Sequence, residues 1–324
     1  MKNWLDRLLG GTSKEIDAPT GHAPAAVLET DEAVLDIDTA FYRWLVGTSR
    51  TNATLEVEQA ILDEVRALAT DPENASGLVP RIPELVSQLL NALSNENISS
   101  TALSAEVGRD LVLVAEVIRE ANSAYYRPAT PIETLDGAVA MLGLNGLRML
   151  LARIAFRPLV RVKTQGVARA VAPNVWRHSE RCAFAASVMA PGLSASVFEA
   201  YLAGLMQNVG LQVAFQVADR LCEGKVPSSG TFGVALFEAS RQLSSVIARH
   251  WDFPADVVEA IARSSEPDAG DMPQLAQALA QGDRIAKLRL LLDAGVIEAD
   301  NSLVATGLNG FQRRCLGKLE DLGD

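Results

Sequence analysis

The sequence predicts an all-α fold, a helical bundle in two lobes. From Thr54 onward, almost every segment places its apolar residues at helical spacing. No segment shows the strict alternation of apolar and polar residues that is typical of a half-exposed strand. The 324 residues, 48% of them apolar, are enough for two lobes with a core in each. We therefore expect helices packed on helices, without a sheet.

The first 75 residues predict a tail followed by an acidic helical extension. Residues 11–30 are rich in Gly, Pro, Ala and Thr and lack an apolar period, so residues 1–30 together predict a flexible tail and linker. Residues 4–9 have an apolar side, for which two interpretations stay open. One is a peptide that docks on a partner or contacts a membrane, and the other is a frayed chain end or a turn packed on the rest of the protein. Residues 31–75 form the extension, in which a helix is predicted from Leu55 to Ala69.

Residues 76–165 predict the N-terminal lobe, with five or so short helices. Ile82 begins an apolar stripe at positions i, i+3, i+4, i+7, i+8 and i+11, which is one face of a helix. Asp110 and Thr134 precede two further apolar stripes and are predicted to be N-caps. Gly143 is predicted to end the second of these helices.

Residues 166–300 predict a second helical lobe. Pro173 suits the first turn of a helix that carries His178. Ser196 and Glu199 have the spacing of a capping box, ahead of a helix that ends near residue 208. Further helices are predicted at about 211–222, 232–250, 254–263 and 273–293, followed by a helical tail at 301–324.

The bulk composition predicts a soluble protein of the cytoplasm. Charged residues make up 21%, no apolar run approaches the roughly 20 residues of a membrane span, and the N-terminus lacks a secretory cleavage site. Cys182, Cys222 and Cys315 are too few and too scattered for a disulfide framework, so we expect buried thiols. The net charge of −11 argues against nucleic acid as a partner.

Charge is segregated along the chain. Thirteen acidic residues lie between Glu15 and Glu73, whereas eight basic residues and one acid lie between Arg148 and Arg181. Four of the basic residues recur every four or five positions and predict a basic ridge. They are Arg148, Arg153, Arg157 and Arg161. The ridge could face an anionic ligand, an acidic partner or the chain's own extension, and pairing within the chain or plain solvation is the simplest interpretation.

Five short motifs follow one another along the chain. They are Ile82-Pro83, Ala121-Asn122-Ser123-Ala124-Tyr125-Tyr126, Ala138 to Leu144, Trp176-Arg177-His178-Ser179, and Ala203-Gly204-Leu205 before Gly210. In this order they resemble the HD-related output domain, or HDOD, over about residues 78–290. The resemblance implies a helical, HD-domain or phosphodiesterase-like bundle that serves bacterial signalling. It also implies kinship with HD and HD-GYP phosphohydrolases and, in general, a lack of catalysis.

The same resemblance implies where metal ligands would stand. His178 matches the first ligand of the HD phosphohydrolases, and Asp283 lies near the last carboxylate position. Gln207 and Asn208 stand where those enzymes have His-Asp, and carboxamides are neutral and hold a divalent cation weakly. Other ligand positions are replaced by Ala239, Ser264 and Ser265. We therefore expect no metal, no other cofactor and no catalytic residue.

The four polar residues at these positions are expected to line a vestigial pocket. They are His178, Gln207, Asn208 and Asp283. Either they form a closed hydrogen-bond network, in which His178 bonds Asn208, or they form a live site for a small ligand. We predict a non-catalytic signalling protein that binds a protein partner or a small-molecule or nucleotide ligand. A partner would favour one arrangement of the lobes or displace residues 31–75 from the basic ridge.

Two alternative functions stay open at this point. The first is a residual metal-dependent phosphodiesterase acting on a cyclic dinucleotide or nucleotide, which bound metal near His178 and Asp283 would indicate. The second is a nucleotide sensor without turnover, which a rise in melting temperature with nucleotide would indicate.

Overall fold

The fold is built of helices. The computed structural model describes residues 36–47, 53–70, 99–123, 128–160, 166–222, 229–265 and 271–322, together with Leu78, Tyr126 and Pro227. The α-helices are α1 (Ile37–Val46), α2 (Leu55–Thr70), α3 (Ser100–Val107), α4 (Leu111–Ala121), α5 (Leu135–Val160), α6 (Gly166–Met189), α7 (Val197–Met206), α8 (Val209–Leu221), α9 (Gly230–His250), α10 (Ala255–Arg263), α11 (Gln274–Asp293), α12 (Ser302–Ala305) and α13 (Gly310–Lys318). Short 3₁₀ helices follow α6 and α13. These residues contain no strand, and the all-α prediction is confirmed.

Local side chains start several of these helices. The Asp110 carboxylate accepts hydrogen bonds from the backbone N–H of Val112 at 2.8 Å and Leu113 at 3.1 Å, at the start of α4. The Ser196 hydroxyl accepts one from the N–H of Glu199 at 3.4 Å, ahead of α7. These bonds satisfy donors that a helix start otherwise leaves without partners. The N-caps predicted at Asp110 and Ser196 are confirmed.

Gly143 breaks α5, as predicted. Its φ of 68° and ψ of −179° divide α5 into two helical segments joined at a kink. A side chain at this positive φ would be strained, which is why glycine suits the position. The tail at residues 1–30, the stripe helix at residues 82–93 and Arg161 lie outside the described residues.

The helix that carries His178 begins earlier than predicted. The prediction of a start at Pro173 is wrong, because α6 begins at Gly166 and continues through the proline. The carboxylate of Asp219, on α8, accepts hydrogen bonds from the N–H of Val167 at 2.7 Å and of Ala168 at 3.0 Å. This cap comes from a distant part of the sequence, so the local pattern does not reveal the true start of α6.

Two glycines let helices approach α6 closely. A Cβ added to Gly204 of α7 would lie 2.3 Å from the Cα of Ala183 on α6. One added to Gly282 of α11 would lie 2.6 Å from the backbone nitrogen of Ala186 on α6. Neither distance leaves room for a carbon atom in a close-packed interior. The two glycines therefore set the distance of α7 and α11 from the helix that carries His178.

Gly204→Ala is expected to lower the free energy of unfolding by about 1–3 kcal/mol, because α6 and α7 must move apart. The matched control is Gly317→Ala on α13, where an added Cβ meets no atom within 4 Å. There we expect stabilisation of about 0.4–1 kcal/mol from the reduced freedom of the unfolded chain. Urea denaturation followed by circular dichroism measures both. Equal effects at the two positions would contradict the close contact of α6 and α7.

The acidic extension packs into the second lobe. Phe41 and Tyr42 of α1 are fully buried, and the Tyr42 hydroxyl donates to the carbonyl of Pro227 at 2.7 Å. The Ser229 hydroxyl, next to α9, donates to Glu58 of α2 at 3.0 Å. Apolar residues of α1 and α2 belong to the same core as those of α8 and α9. The extension is therefore an integral layer of this lobe.

Helix α5 contains a long, mostly apolar segment. By length and composition, Leu135–Arg157 within α5 reaches the range of a membrane-spanning helix. Charged residues interrupt this segment at Asp136, Arg148, Arg153 and Arg157, so it is not one uninterrupted apolar run. In the structure, 56% of its most apolar 18-residue stretch is buried inside the protein, and Gly143 interrupts the helix.

Candidate functional site

Four polar side chains predicted from the sequence lie together inside the second lobe. His178 is on α6, Gln207 and Asn208 lie at the junction of α7 and α8, and Asp283 is on α11. Each is no more than 8% exposed. Because three separate parts of the chain supply them, their proximity is a property of the tertiary fold.

Asp283 is the centre of this group, and its two carboxylate oxygens have four partners. Oδ1 lies 3.0 Å from His178 Nε2 and accepts a hydrogen bond from Gln207 Nε2 at 3.0 Å. Oδ2 accepts one from the Arg241 guanidinium at 2.6 Å and lies 2.7 Å from Lys287 Nζ. The group, named the Asp283 cluster below, consists of Asp283, His178, Gln207, Asn208, Arg241 and Lys287.

Hydrogen bonds assign the proton on the His178 ring. Asn208 Nδ2 donates to His178 Nδ1 and to the Ser179 hydroxyl, both at 2.9 Å. Because Nδ1 accepts, the ring proton resides on Nε2, which faces Asp283. Burial lowers the pKa of His178, although the bond to Asp283 opposes this shift. The ring is therefore neutral at pH 7, and its Nε2 lies 3.0 Å from the Asp283 carboxylate.

Two buried cations keep Asp283 ionised. Burial alone would raise the pKa of this carboxyl, but the Lys287 ammonium and the Arg241 guanidinium hold it well below its usual range. Burial would likewise lower the pKa of Lys287, whereas Asp283 and Asp38 raise it. Lys287 Nζ donates to Asp38 Oδ1 at 2.6 Å. Two cations and two carboxylates are thus in balance, which is the condition for keeping charges in a protein interior.

Helix α1 covers one side of the Asp283 cluster. The Phe41 ring lies 4.7 Å from the His178 ring, measured between centroids. The Lys287 ammonium lies 4.8 Å from the centroid of the Phe237 ring and 5.8 Å from that of Phe41. The faces of aromatic rings attract a cation. With Asp38 bonded to Lys287, α1 supplies both an aromatic wall and a counter-charge.

The other replaced ligand positions have structural partners. Ala239 is buried on α9, and the Ser264 hydroxyl donates to a backbone carbonyl of the preceding turn at 3.1 Å. The Ser265 hydroxyl accepts a hydrogen bond from Arg241 at 2.9 Å. Ser265 therefore helps to hold the guanidinium that contacts Asp283.

This set of donors does not fit a divalent metal ion. A hydrolytic site needs about three carboxylate, imidazole or thiolate ligands and an open position for water. Within the described parts of the chain, no three His, Cys, Asp or Glu side chains are grouped as such a site requires. The Lys287 ammonium, 2.7 Å from Asp283, lies where a cation would bind the carboxylate. The lysine thus provides the positive charge that a metal ion would bring.

The described arginines of the predicted basic ridge do not share an exposed face. Arg148 is only 6% exposed. Arg153 donates to Glu120 at 2.8 Å and to Glu180 at 2.5 Å, and Arg157 lies 3.8 Å from Glu120. An exposed ridge is therefore not formed by the three described arginines: Arg148 is buried, and Arg153 and Arg157 pair with carboxylates of the bundle, in line with the interpretation of pairing within the chain. Helical periodicity predicted a shared face but not the depth of Arg148.

The acidic extension pairs with different basic residues. Asp38 contacts Lys287 at 2.6 Å, and Glu64 of α2 contacts Arg220 of α8. The complementary charges of the extension and the bundle therefore meet, but they meet at α8 and α11 rather than at the predicted ridge. This follows from the position of α1 and α2 on the second lobe.

His178 is expected to make the protein less stable as the pH falls from about 7.5 to about 5.5. Its pKa is lower in the folded than in the unfolded chain, so below about pH 6.5 the unfolded chain binds more protons and is favoured. The loss in the free energy of unfolding that His178 contributes is at most about 1.4 kcal/mol per pH unit. His178→Gln should remove this contribution. Urea denaturation at both pH values measures it. The same fall in both proteins would contradict a buried, neutral ring.

The sequence profile of the HDOD domain matches residues 79–267, more than half of the 324-residue chain. The chain belongs to the HDOD family. A curated relative, an uncharacterized protein of Treponema pallidum (strain Nichols), is 22% identical over 241 residues, which is 70% of this HDOD chain and 46% of the relative. The chain thus spans about half the length of that relative.

Solved bacterial structures share this fold. One from Shewanella amazonensis SB2B, named "Putative metal-dependent phosphohydrolase", is 19% identical with a TM-score of 0.57, over 82% of this chain and 99% of that one. An HDOD domain protein of unknown function from Geobacter sulfurreducens is 20% identical with a TM-score of 0.54. The similarity covers 80% of this chain and 94% of that one. A "Putative signal transduction protein" from Marinobacter aquaeolei VT8 is 21% identical with a TM-score of 0.56. The similarity covers 82% of this chain and 63% of that one. The predicted HD-like helical fold is confirmed.

Proposed function

We propose that this HDOD protein is a regulatory component of bacterial signal transduction and that it acts by binding, without catalysis. The Asp283 cluster carries the proposal. Carboxamides stand at Gln207 and Asn208, and the remaining carboxylate is neutralised by Arg241 and Lys287. A metal-bound water is the nucleophile that would attack a phosphoester, and these side chains offer no means of generating it.

The burial of the cluster supports the same proposal. A substrate would have to separate the Phe41 ring from His178 and break the ion pair between Asp38 and Lys287. Of the two interpretations of the vestigial pocket, this favours the closed hydrogen-bond network over a live small-ligand site at these residues.

The partner in this proposal is another signalling protein in the cytoplasm. Support comes from membership of the HDOD family and from the signal-transduction name of the Marinobacter aquaeolei neighbour. The three cysteines are free and buried, which suits a reducing compartment. A partner with higher affinity for the chain without docked α1 would shift the population towards that state.

Metal analysis and phosphodiesterase assays test the absence of catalysis. Protein purified without chelators should contain far less than one equivalent of Fe, Mn, Zn or Mg. It should hydrolyse neither bis(p-nitrophenyl) phosphate nor cyclic dinucleotides when these metals are added. His178→Ala is the control variant and should behave in the same way. Stoichiometric metal together with turnover that His178→Ala abolishes would overturn the proposal.

Affinity capture followed by reconstitution tests the binding role. The full-length chain should retain a signalling protein from native lysate, and the purified partner should bind it directly. Asp38→Asn, which weakens the contact of α1 with Lys287, should change that affinity. Asp300→Asn, at an exposed loop position, should leave it unchanged. The absence of any partner that binds directly would count against the proposal.

A further inference from the structure

Helix α1 lies in a groove of the second lobe as a bound peptide would. Among the described helices, it packs chiefly on α9, α11 and α6, and the surface that these three present to it is named the α1 groove below. Helix α1 is 10 residues long. Isolated helices shorter than about 12 residues are only marginally stable in water, so the groove provides most of the stability of α1. Docking of α1 is therefore a binding equilibrium within the chain.

Two glycines at the start of α9 give the α1 groove its shape. A Cβ added to Gly233 would lie 2.5 Å from the Tyr42 ring of α1. One added to Gly230 would lie 2.6 Å from the Thr39 side chain. The Tyr42 hydroxyl donates to the carbonyl of Pro227 at 2.7 Å, next to these glycines. The groove therefore has room for a large aromatic side chain at the position of Tyr42 and an acceptor for its hydroxyl.

The charge of the α1 groove requires a carboxylate from the helix that fills it. Lys287 is 2% exposed and contacts Asp38 of α1 at 2.6 Å and Asp283 at 2.7 Å. Without α1, Lys287 and Arg241 would share Asp283 alone, which leaves one positive charge in excess. A buried cation without a balancing anion is costly. A helix with an acidic residue at the position of Asp38 removes that cost.

We propose that the α1 groove binds an amphipathic, acidic helix of a partner protein, which takes the place of α1. The partner helix presents a carboxylate to Lys287 and, one turn later, two adjacent aromatic side chains. Asp38, Phe41 and Tyr42 of α1 have this arrangement. Many proteins recognise an amphipathic helix by binding its apolar face in such a groove. This assignment rests on the proposed binding role and adds the chemistry of the partner.

Exchange of α1 for a similar helix restores the contacts that it breaks. A small substrate would separate Phe41 from His178 and Asp38 from Lys287 without replacing either contact, whereas a helix of this pattern replaces both. The partner still competes with a tethered segment, because only residues 47–54 separate α1 from α2. Such a segment has an effective concentration on the order of mM. The docked α1 therefore excludes weakly bound helices and admits a partner that binds the groove more tightly.

Fluorescence anisotropy of a labelled peptide with the sequence of residues 36–47 tests this surface on the full chain. Asp38→Asn in the chain weakens the docking of its own α1. The unchanged peptide should therefore bind this variant at least about tenfold more tightly than it binds the wild type. A peptide that itself carries Asp38→Asn should bind the same variant at least about tenfold more weakly than the unchanged peptide. Asp300→Asn, at an exposed position, is the matched charge control and should bind the peptide as the wild type does.

A disulfide between α1 and α9 provides a second test that can be reversed. The Cβ of Thr39 and a Cβ added to Gly230 lie 3.5 Å apart, within the range of about 3.5–4.5 Å found in disulfides. When oxidised, the double variant Thr39→Cys, Gly230→Cys should hold α1 in its groove and weaken peptide binding at least about tenfold. A reductant should restore the binding. The wild type has only free, buried cysteines among its described residues and should bind the peptide equally under both conditions.

Circular dichroism of each variant distinguishes loss of the surface from loss of the fold, and the disulfide decides the matter if Asp38→Asn does not fold. The inference is overturned if the peptide binds Asp38→Asn no more tightly than the wild type or if the carboxylate of the peptide makes no difference. It is also overturned if the oxidised double variant binds the peptide as the reduced one does. A captured signalling partner that binds both forms equally would leave the proposed binding role intact and contradict this surface.

Discussion

Asp283→Ala is expected to lower the free energy of unfolding by about 3–5 kcal/mol. The substitution leaves the Lys287 ammonium and the Arg241 guanidinium buried with Asp38 as the one remaining carboxylate. It also removes the acceptor that faces His178. Cations that stay buried without balancing anions keep their full desolvation cost, which is the source of the large effect. Urea denaturation followed by circular dichroism measures it.

Two further variants separate charge from packing at Asp283. Lys287→Met removes the ammonium but keeps an apolar side chain of similar length, and the carboxylate keeps Arg241 and His178 as partners. We therefore expect a smaller loss than for Asp283→Ala. Asp300→Asn, at an exposed position, should change stability by no more than about 0.5 kcal/mol. If Asp283→Ala costs no more than Asp300→Asn, the cluster is not a buried balance of charges.

Phe41→Ala is expected to cost about 3–5 kcal/mol and to loosen α1. The ring is fully buried between His178, at 4.7 Å, and Phe237, at 5.9 Å, and the substitution leaves a cavity beside Lys287. Urea denaturation measures the loss of stability. Hydrogen exchange read by mass spectrometry over residues 37–46 measures the loosening of α1.

Arg43→Ala is the matched control on α1, because Arg43 is exposed on the same helix. It should change stability by no more than about 0.5 kcal/mol. If Phe41→Ala speeds exchange in α1 while the rest of the second lobe stays protected, α1 opens as a unit, as displacement by a partner requires. If Phe41→Ala has no effect on the free energy of unfolding, the result contradicts the packing of α1 on His178 through the Phe41 ring.

Most helices could be predicted because their signals are local. The cap at Asp110 and the break at Gly143 each act within a few residues of the helix end that they determine. The helices predicted at 232–250 and 273–293 agree with α9 and α11 to within two residues at each end. Such signals need no knowledge of the tertiary structure.

The features that could not be predicted depend on contacts between distant residues. The start of α6 relies on Asp219 of α8, and its cap has no local pattern. Lys287 follows Asp283 by one helical turn, a spacing that suggests an ion pair but does not distinguish a buried pair from a solvated one. The resemblance to HDOD gave the positions of His178 and Asp283, but not Arg241 or the covering helix α1.

A fragment expressed with the limits of the HDOD match would separate charged residues that neutralise one another in the full chain. The segment that matches the HDOD profile, residues 79–267, contains Arg241 but lacks Asp283, Lys287 and Asp38. A fragment with those limits loses α11, which packs along α6, and leaves the Arg241 guanidinium without its carboxylate. The cooperative folding unit therefore reaches beyond the matched segment on both sides, and electroneutrality of the interior requires residues from each flank.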